Sequence, residues 1–140
     1  SIQAYRLEMG SRLANPQGAD LYAFWGTRIA RSLHSLAQET GAKALINCAS
    51  IEYFGAVDRT TLQMPVISPV FLEERDGQAK TVSFWAKRAR GAMARYICEH
   101  QITDATDLRG FDLSGYRHQP GRSTDGQMVF LRQAPAQQAA

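Results

Sequence analysis

Residues 66–85 read VISPVFLEERDGQAKTVSFW, and this stretch carries the clearest β-sheet signal in the sequence. Two runs rich in β-branched and aromatic residues, 66–73 and 80–85, flank an Asp76-Gly77 pair. An Asp-Gly pair between two such runs is a strong hairpin signal, because both residue types tolerate the positive φ angles of a tight turn. The stretch therefore predicts two antiparallel strands within a sheet.

A long amphipathic helix is predicted upstream of this hairpin. Asp20 is suited to cap a segment that ends near Thr40, and Gly41 is the residue type expected just beyond a helix C-terminus. At 100° per residue, the large apolar side chains of this segment share about one third of the helix circumference. They are Leu21, Tyr22, Trp25, Ile29, Leu33 and Leu36. The pattern predicts one face packed on a core.

Two shorter elements are predicted between this helix and the hairpin. Residues 44–49, ALINCA, form an apolar run typical of a buried strand. Ser50 follows as the expected cap of a brief helical turn that contains Glu52. Pro69 has no N–H to give to a sheet, so the strand that contains it is predicted to bend or to lie at an edge.

The segment that follows the hairpin is strongly basic. Residues 86–101 predict a second helix, and Thr103 is the expected cap of a short third one within 102–108. On a helical wheel the cations of the second helix occupy an arc of roughly 160°, opposite its apolar residues. These cations are Lys87, Arg88, Arg90 and Arg95. Gly91, Ala94 and Cys98 lie within or beside the cationic arc, which would let a large ligand approach the backbone closely.

The C-terminal region predicts a last hairpin and a tail. Residues 116–132 contain a turn-rich centre at 121–126, with 128–131 as the better strand. Residues 134–140, rich in Ala and Gln, predict a disordered tail. We therefore predict an α+β (mixed α/β) fold over residues 1–133, in which a central sheet shares one core with an amphipathic helix and a basic helix.

Composition is that of an ordinary globular chain of 140 residues, 44% hydrophobic and 21% charged. Cys48 and Cys98 lack the spacing of a zinc site or a disulfide scaffold, which favours a cytoplasmic protein. The net charge of +3 is compatible with a nucleic-acid partner. No apolar run approaches the ~20 residues that cross a bilayer, so no membrane partner is predicted.

Several blocks of sequence carry a family resemblance. They are YRLEMG at 5–10, DLYAFWG at 20–26, INCASIEYF at 46–54 and AKRARGAMAR at 86–95. The chain resembles the YaaA family of peroxide stress response proteins, and these blocks span most of its length. In such proteins the YRLEMG block lies near the middle. The resemblance implies a C-terminal portion whose core is completed by a missing N-terminal half, and a role in tolerating peroxide.

The leading functional hypothesis is a non-enzymatic DNA-binding protein. Lys87, Arg88, Arg90 and Arg95 would contact the phosphates of double-stranded or distorted DNA, because Arg binds phosphate oxygens through two parallel hydrogen bonds. The basic helix and residues 103–111 have the outline of a helix-hairpin-helix element, although its glycine-rich hairpin is missing. The alternative interpretation is a cationic face that meets only water or is paired with acids elsewhere in the fold.

The rival hypothesis is an enzyme or small-molecule-binding protein with a polar pocket at the end of the first strand. A carboxylate, an amide and an Arg can together bind a polar ligand, and a buried Glu can act as a general acid or base. The candidate residues are Tyr5, Arg6, Glu8, Asn47, Ser50, Glu52 and Tyr53. In the alternative interpretation, Asn47 and Ser50 satisfy backbone groups at a turn and Arg6 pairs with an acid.

Motifs of the common enzyme classes are missing from the sequence. No GxSxG, HExxH, P-loop or GxGxxG occurs, and none of the three His residues has a partner at nucleophile or metal-ligand spacing. Cys48 is interpreted as a core residue, and Cys98, near the basic segment, as a weaker candidate for a reactive thiol. The sequence therefore predicts no metal, no cofactor and no catalytic residue.

Overall fold

The computed structural model describes residue 12 and residues 16–135. The chain divides into two compact units: the first comprises 1–43 and 49–65, and the second comprises 44–48 and 66–140. Helices and a mixed sheet are both present, which confirms the predicted α+β class. The prediction of one domain over 1–133 stays a prediction, and the tail residues 136–140 lie outside the described part.

The first unit is helical. Its long helix α1 spans Leu21–Thr40 and is followed by two single-turn helices, α2 at Ile51–Phe54 and α3 at Arg59–Leu62. The α1 boundaries are the predicted ones. The Asp20 side chain accepts a hydrogen bond of 2.8 Å from the Ala23 N–H, and Gly41 ends the helix in the left-handed conformation at φ 69°.

The apolar face of α1 is only partly covered. Among the residues of α1, Ala30 alone is buried. The predicted face is half-buried at Leu21, Tyr22, Ile29 and Leu33, but Trp25 and Leu36 keep 41% and 55% of their surface exposed. The described residues therefore cover this face only in part, and the prediction that all of it packs on a core stays a prediction for those two side chains.

The second unit contains a mixed five-stranded sheet. Its strands are β1 (Leu45–Ile46), β2 (Val66–Arg75), β3 (Gln78–Lys80), β4 (Arg117–His118) and β5 (Gln127–Gln133). The order is β1-β2-β5-β4, with β3 paired to β2 through the predicted hairpin at the Asp-Gly turn. β2 runs parallel to both β1 and β5, whereas β4 and β5 form the predicted antiparallel terminal pair.

Pro69 does not mark an edge strand, since β2 has neighbours on both sides. The Ser68 N–H donates to Gly126 on the β5 side at 2.9 Å, so the next residue, Pro69, directs its nitrogen to the other side. On that side the last paired residue of β1 is Ile46, the partner of Ile67, and the Asn47 N–H still donates to the Ile67 carbonyl at 2.8 Å. Pro69 has no N–H with which to continue this pairing, so the β1–β2 ladder ends here while the β5 side of the strand stays intact.

Helix α4 spans Ser83–Glu99, so the predicted strand 80–85 is wrong beyond Lys80. Its buried residues Ala86, Ala89 and Met93 follow helical spacing, and this packing overrides the β preference of the preceding aromatics. The predicted Thr103 cap is also wrong. Asp104 caps the next element instead, a 3-10 helix at Ala105–Gly110, by accepting from the Thr106 N–H at 2.9 Å.

Aromatic rings form the centre of the second unit. Phe130 of β5 stacks on Phe71 of β2 with ring centroids 5.4 Å apart, and Phe111 meets both rings edge-on at 5.6 Å. Tyr116 contacts Phe71 edge-on at 5.2 Å. Met93 brings α4 onto the same cluster. The basic helix is therefore anchored on the sheet by its apolar side.

Candidate functional site

The basic face of α4 is largely at the surface. Lys87, Arg88 and Arg95 are exposed, whereas Arg90 is half-buried. Arg95 Nε lies 4.0 Å from Glu99 Oε1 one turn along the helix, and both side chains are exposed. An exposed pair of this kind contributes little to stability and is easily exchanged for another anion. Three of the four predicted cations are thus available to a ligand from solvent.

The charge of Arg90 acts on Cys48. Burial raises the pKa of the Cys48 thiol above its ordinary value, and the positive charge of Arg90 opposes that rise. The neighbouring Cys98 adds to the rise. Cys48 is half-buried against the aromatic core, as the sequence indicated, and Cys98 is exposed. A raised pKa keeps Cys48 in its unreactive thiol form at neutral pH.

A groove of about 430 Å³ runs beside α4 within the second unit. Arg88 and Arg95 line it two helical turns apart, and the small residues Gly91 and Ala92 lie between them. A Cβ atom at Gly91 would meet no atom within 4 Å, so this part of the groove is open. The remaining lining residues are Trp85, Ala89, Phe111, Leu113, Ser114 and Tyr116.

The wall opposite α4 is shaped by an unusual backbone. Ser114 and Gly115 both take positive φ angles, 57° and 82°. For a serine this conformation is uncommon and costs backbone energy, and such strain tends to occur at ligand sites. Leu113, which precedes this turn, lines the groove while 46% of its surface remains exposed. The groove therefore combines apolar surface with two guanidinium groups.

Trp85 sits between two arginines. The Arg132 guanidinium lies 4.1 Å from the centroid of the Trp85 ring, and the Arg88 guanidinium lies 5.5 Å from it. Arg132 also lies 5.8 Å from the Tyr116 ring. Burial raises the pKa of Tyr116, and the charge of Arg132 opposes this rise. The guanidinium of Arg132 therefore contacts the rings of two groove residues, Trp85 and Tyr116.

That cation belongs to a buried ion pair. Arg132 Nε lies 3.5 Å from Glu73 Oε1, with 11% and 5% of the two side chains exposed, and Arg75 lies 3.9 Å from Glu73 at the surface. Within the described residues, Glu73 Oε1 and Arg132 Nε and Nη1 accept or donate no hydrogen bond. The pair is therefore held by charge and by the aromatic rings around it.

Most of this groove was not predicted from the sequence. Trp85 was assigned to a strand, and Leu113 and Ser114 lie in a segment with no periodic signal. A usable sign was present, because starting the helix at Ser83 places Trp85 three residues before Arg88, on neighbouring positions of one helix face. Nothing in the sequence indicated that Arg132 and Glu73 would meet.

The predicted polar pocket stays a prediction, because some of its members lie outside the described residues and the others belong to two separate units. Tyr5, Arg6 and Glu8 lie outside the described residues. Asn47 belongs to the second unit, where its buried amide donates to the Ser68 hydroxyl at 3.3 Å. The remaining members belong to the first unit. They are Ser50, Glu52 and Tyr53.

Local roles account for part of this set. The Ser50 hydroxyl caps α2 by accepting from the Tyr53 N–H at 3.3 Å, as the alternative interpretation predicted. Glu52 and Tyr53 are exposed. Whether these groups join a ligand site with Arg6 and Glu8 stays a prediction.

The histidines make local contacts. His34 Nδ1 lies 2.9 Å from the Leu62 carbonyl oxygen, and His118 Nε2 lies 3.3 Å from the Ser123 hydroxyl. Burial, and next the charge of Arg109, lower the pKa of His118. Over residues 16–135 no group of three or more His, Cys, Asp or Glu residues is arranged to hold a metal ion. Over that range no helix has the length and apolar character needed to span a bilayer.

Comparison with known proteins identifies the family. A family model described as peroxide stress protein YaaA matches residues 1–122. The chain belongs to the YaaA family. It is 61% identical over 131 residues to a UPF0246 protein of Cereibacter sphaeroides strain ATCC 17029, covering 94% of this chain and 51% of that protein. The predicted resemblance is therefore confirmed.

Two further relatives are also matched over only about half of their own length. A UPF0246 protein of Dinoroseobacter shibae is 57% identical over 134 residues, which cover 96% of this chain and 50% of the relative. A UPF0246 protein of Phenylobacterium zucineum is 53% identical over 140 residues, which cover 100% of this chain and 53% of the relative. The chain spans about half the length of the curated relatives that it matches.

Proposed function

We propose that this chain supplies a DNA-binding surface to a cytoplasmic peroxide stress protein, without catalysing a reaction itself. The observation that carries the proposal is the exposed cationic side of α4, where Arg88 and Arg95 flank Gly91. A cation pair separated by small residues lets a phosphate backbone approach the helix closely. The family description, peroxide stress protein, is compatible with this proposal because DNA is a target of peroxide damage.

The spacing of the cations suits a polyanion. Seven residues of α-helix place Arg88 and Arg95 about 10 Å apart along the axis, so they reach different phosphates of one strand. Lys87 is exposed on the adjacent side and extends the cationic surface. Arg90 is half-buried, so it contributes more through long-range electrostatic attraction of the DNA than through direct contact with a phosphate. These contacts predict binding that weakens steeply with salt, since each neutralised phosphate releases counterions.

Removing the two groove arginines tests this proposal. In the full-length protein, Arg88→Gln with Arg95→Gln is expected to weaken duplex binding by about 10–100-fold at low salt. The slope of log affinity against log salt should become shallower by about two, one unit for each lost phosphate contact. Fluorescence anisotropy with a labelled duplex over a salt series measures both quantities.

Arg117 and Arg122 provide a matched control, because both are exposed and lie outside α4. Arg117→Gln with Arg122→Gln removes the same net charge and is expected to change duplex affinity less than about threefold. Equal losses in the two double variants would mean that only net charge matters, and the assigned surface would be rejected. A wild-type protein that binds no duplex at low salt would remove the proposal altogether.

The rival function, a small-molecule or enzyme site around Arg6, Glu8, Asn47, Ser50 and Glu52, has less support. The Ser50 hydroxyl is used in a helix cap and the Asn47 amide in a contact with Ser68. A helix cap is an ordinary role of Ser, and the Asn47 contact links the residue after β1 to β2. Neither contact requires a ligand, so we prefer the DNA-binding proposal.

We also propose an intramolecular partner for α1. Trp25 and Leu36, eleven residues apart, point to the same side of the helix and are both exposed, next to half-buried Ile29. An apolar stripe of this kind on a 20-residue helix is normally covered. About half the length of the family relatives lies outside this chain. We assign that other half of the protein as the cover, so that it completes the core.

Leu36→Ser in the full-length protein tests this docking. If the stripe is covered there, the substitution is expected to lower the free energy of unfolding by about 2 kcal/mol, because a buried Leu side chain is lost. Gln38→Ser, exposed on the polar side of α1, is expected to change it by less than about 0.5 kcal/mol. Urea denaturation compares the two, and equally small losses would contradict a covered stripe.

A further inference from the structure

We propose that the groove beside α4 accepts a single unpaired nucleotide, so that the surface prefers DNA with an extruded or unstacked base over an intact duplex. This inference rests on the proposed DNA binding and goes beyond it. Contacts to phosphates alone explain affinity for any duplex. The groove also has a concave volume and an apolar wall, which contacts to a phosphate backbone do not require.

The size of the groove limits its occupant. Its volume of about 430 Å³ lies within the range of small-molecule sites, about 300–1,000 Å³. A double helix is too wide to enter such a space, so a duplex can only lie across its rim. One nucleotide, flipped out of a helix or belonging to a single strand, is of a suitable size to enter.

The chemistry of the walls matches a nucleotide in two parts. The partly exposed Leu113 offers apolar surface against which a base can pack, and Trp85 lines the same groove. Arg88 and Arg95 lie along the α4 side and can bind the phosphates on either side of that base. Ser114 adds a hydroxyl that can both donate and accept, as a base edge or a sugar requires.

The apolar wall is held in place before any ligand arrives. Arg132 lies 4.1 Å from the Trp85 ring centroid, and the buried Glu73 holds Arg132 at 3.5 Å. Tyr116 is almost completely buried and its ring is fixed edge-on against Phe71. A wall that does not have to rearrange binds a ligand at a lower entropic cost. The preference for an unpaired base therefore follows from a preformed surface.

Gly91 allows the groove to be filled without a change of charge. It lies between the two arginines, and a Cβ atom there would enter open space. Leu has a higher helix propensity than Gly, so Gly91→Leu is expected to fold at least as stably as the wild type. Its side chain would occupy the space assigned to the base. Ala94→Leu provides the matched control, because Ala94 is exposed on the same helix and does not line the groove.

The experiment compares two labelled probes in fluorescence anisotropy, with full-length protein at one salt concentration. One is an intact duplex, and the other is the same duplex with a single bulged thymidine. The wild type is expected to bind the bulged probe about tenfold more tightly, as stacking of one base allows. Gly91→Leu should weaken binding of both probes, because Gly91 also lets the phosphate backbone approach α4, but it should weaken the bulged probe about tenfold more, so that the preference is lost. Ala94→Leu should keep the preference, whatever it does to overall affinity.

Each outcome decides one of the two proposals. Equal binding of both probes by the wild type overturns the nucleotide site and leaves the duplex surface standing, whereas no binding of either probe rejects the proposed function itself. A preference that persists in Gly91→Leu, or an equal loss for both probes, also overturns the site. Leu113→Ser is a second variant, independent of α4, and its expected result is a reduced preference with unchanged duplex binding.

Discussion

Phe130→Ala is expected to lower the free energy of unfolding by about 3–5 kcal/mol, because a fully buried ring is removed from a close-packed core. Phe130 lies on β5, the strand that joins β2 to β4. Its ring stacks on Phe71 at 5.4 Å and meets Phe111 and His118 at 5.6 and 5.7 Å. No small shift of one neighbour can fill the cavity that the substitution leaves.

Urea denaturation of the full-length protein, followed by circular dichroism, measures this loss. Leu113→Ala is the matched control, since Leu113 belongs to the same unit but keeps 46% of its surface exposed, and it should cost less than about 1 kcal/mol. Comparable losses in the two variants would contradict the assignment of Phe130 to the centre of the core.

Elements with strong end signals could be predicted from the sequence. The ends of α1 were predicted correctly because Asp20 and Gly41 satisfy backbone groups locally, without help from distant residues. The Asp-Gly turn between β2 and β3 follows the same logic. In each case the information lies within a few residues of the element that it defines, so a single sequence is sufficient.

Other boundaries depend on packing across the chain. The aromatic pair Phe84-Trp85 favours a strand by composition, but burial of Ala86 and Met93 against the sheet makes it part of α4. Pro69 suggested a strand that bends or lies at an edge, but β2 is paired on both sides and the proline lies where its ladder with β1 ends. Neither result can be read from residues close in sequence.

In the candidate site, too, features set by nearby residues could be predicted and features set by distant residues could not. The cations of α4 were predicted because helical spacing alone puts them on one side, although it did not distinguish exposed Arg88 from half-buried Arg90. The groove required Leu113 and Ser114 from a segment twenty residues further along. The positive φ angles of Ser114 and Gly115 belong to a turn that no sequence motif predicts.

The ion pair behind the groove carries the second large expected effect. Glu73→Gln is expected to lower the free energy of unfolding by about 3–5 kcal/mol, because it leaves the guanidinium of Arg132 buried without a counter-charge. Arg132 has only 11% of its side chain exposed and cannot move easily to water. The rings of Trp85 and Tyr116 compensate part of this charge, though not the loss of a carboxylate.

A double-mutant cycle separates the pair from its surroundings. Glu73→Met combined with Arg132→Met removes both charges and keeps apolar bulk, so it should be more stable than either single variant by at least about 2 kcal/mol. Arg75→Gln is the control, because Arg75 meets Glu73 at 3.9 Å from an exposed position, and it should cost less than about 1 kcal/mol.

The cycle also links stability to the groove. Arg132 supports Trp85 from behind, so the double Met variant should fold while its Trp85 ring becomes less fixed. We therefore expect this variant to keep duplex affinity and to lose part of the preference for a bulged probe, since the wall must now be ordered on binding. Additive effects of the two single substitutions would contradict a coupled pair. Unchanged bulge preference in the folded double variant would mean that Trp85 needs no such support.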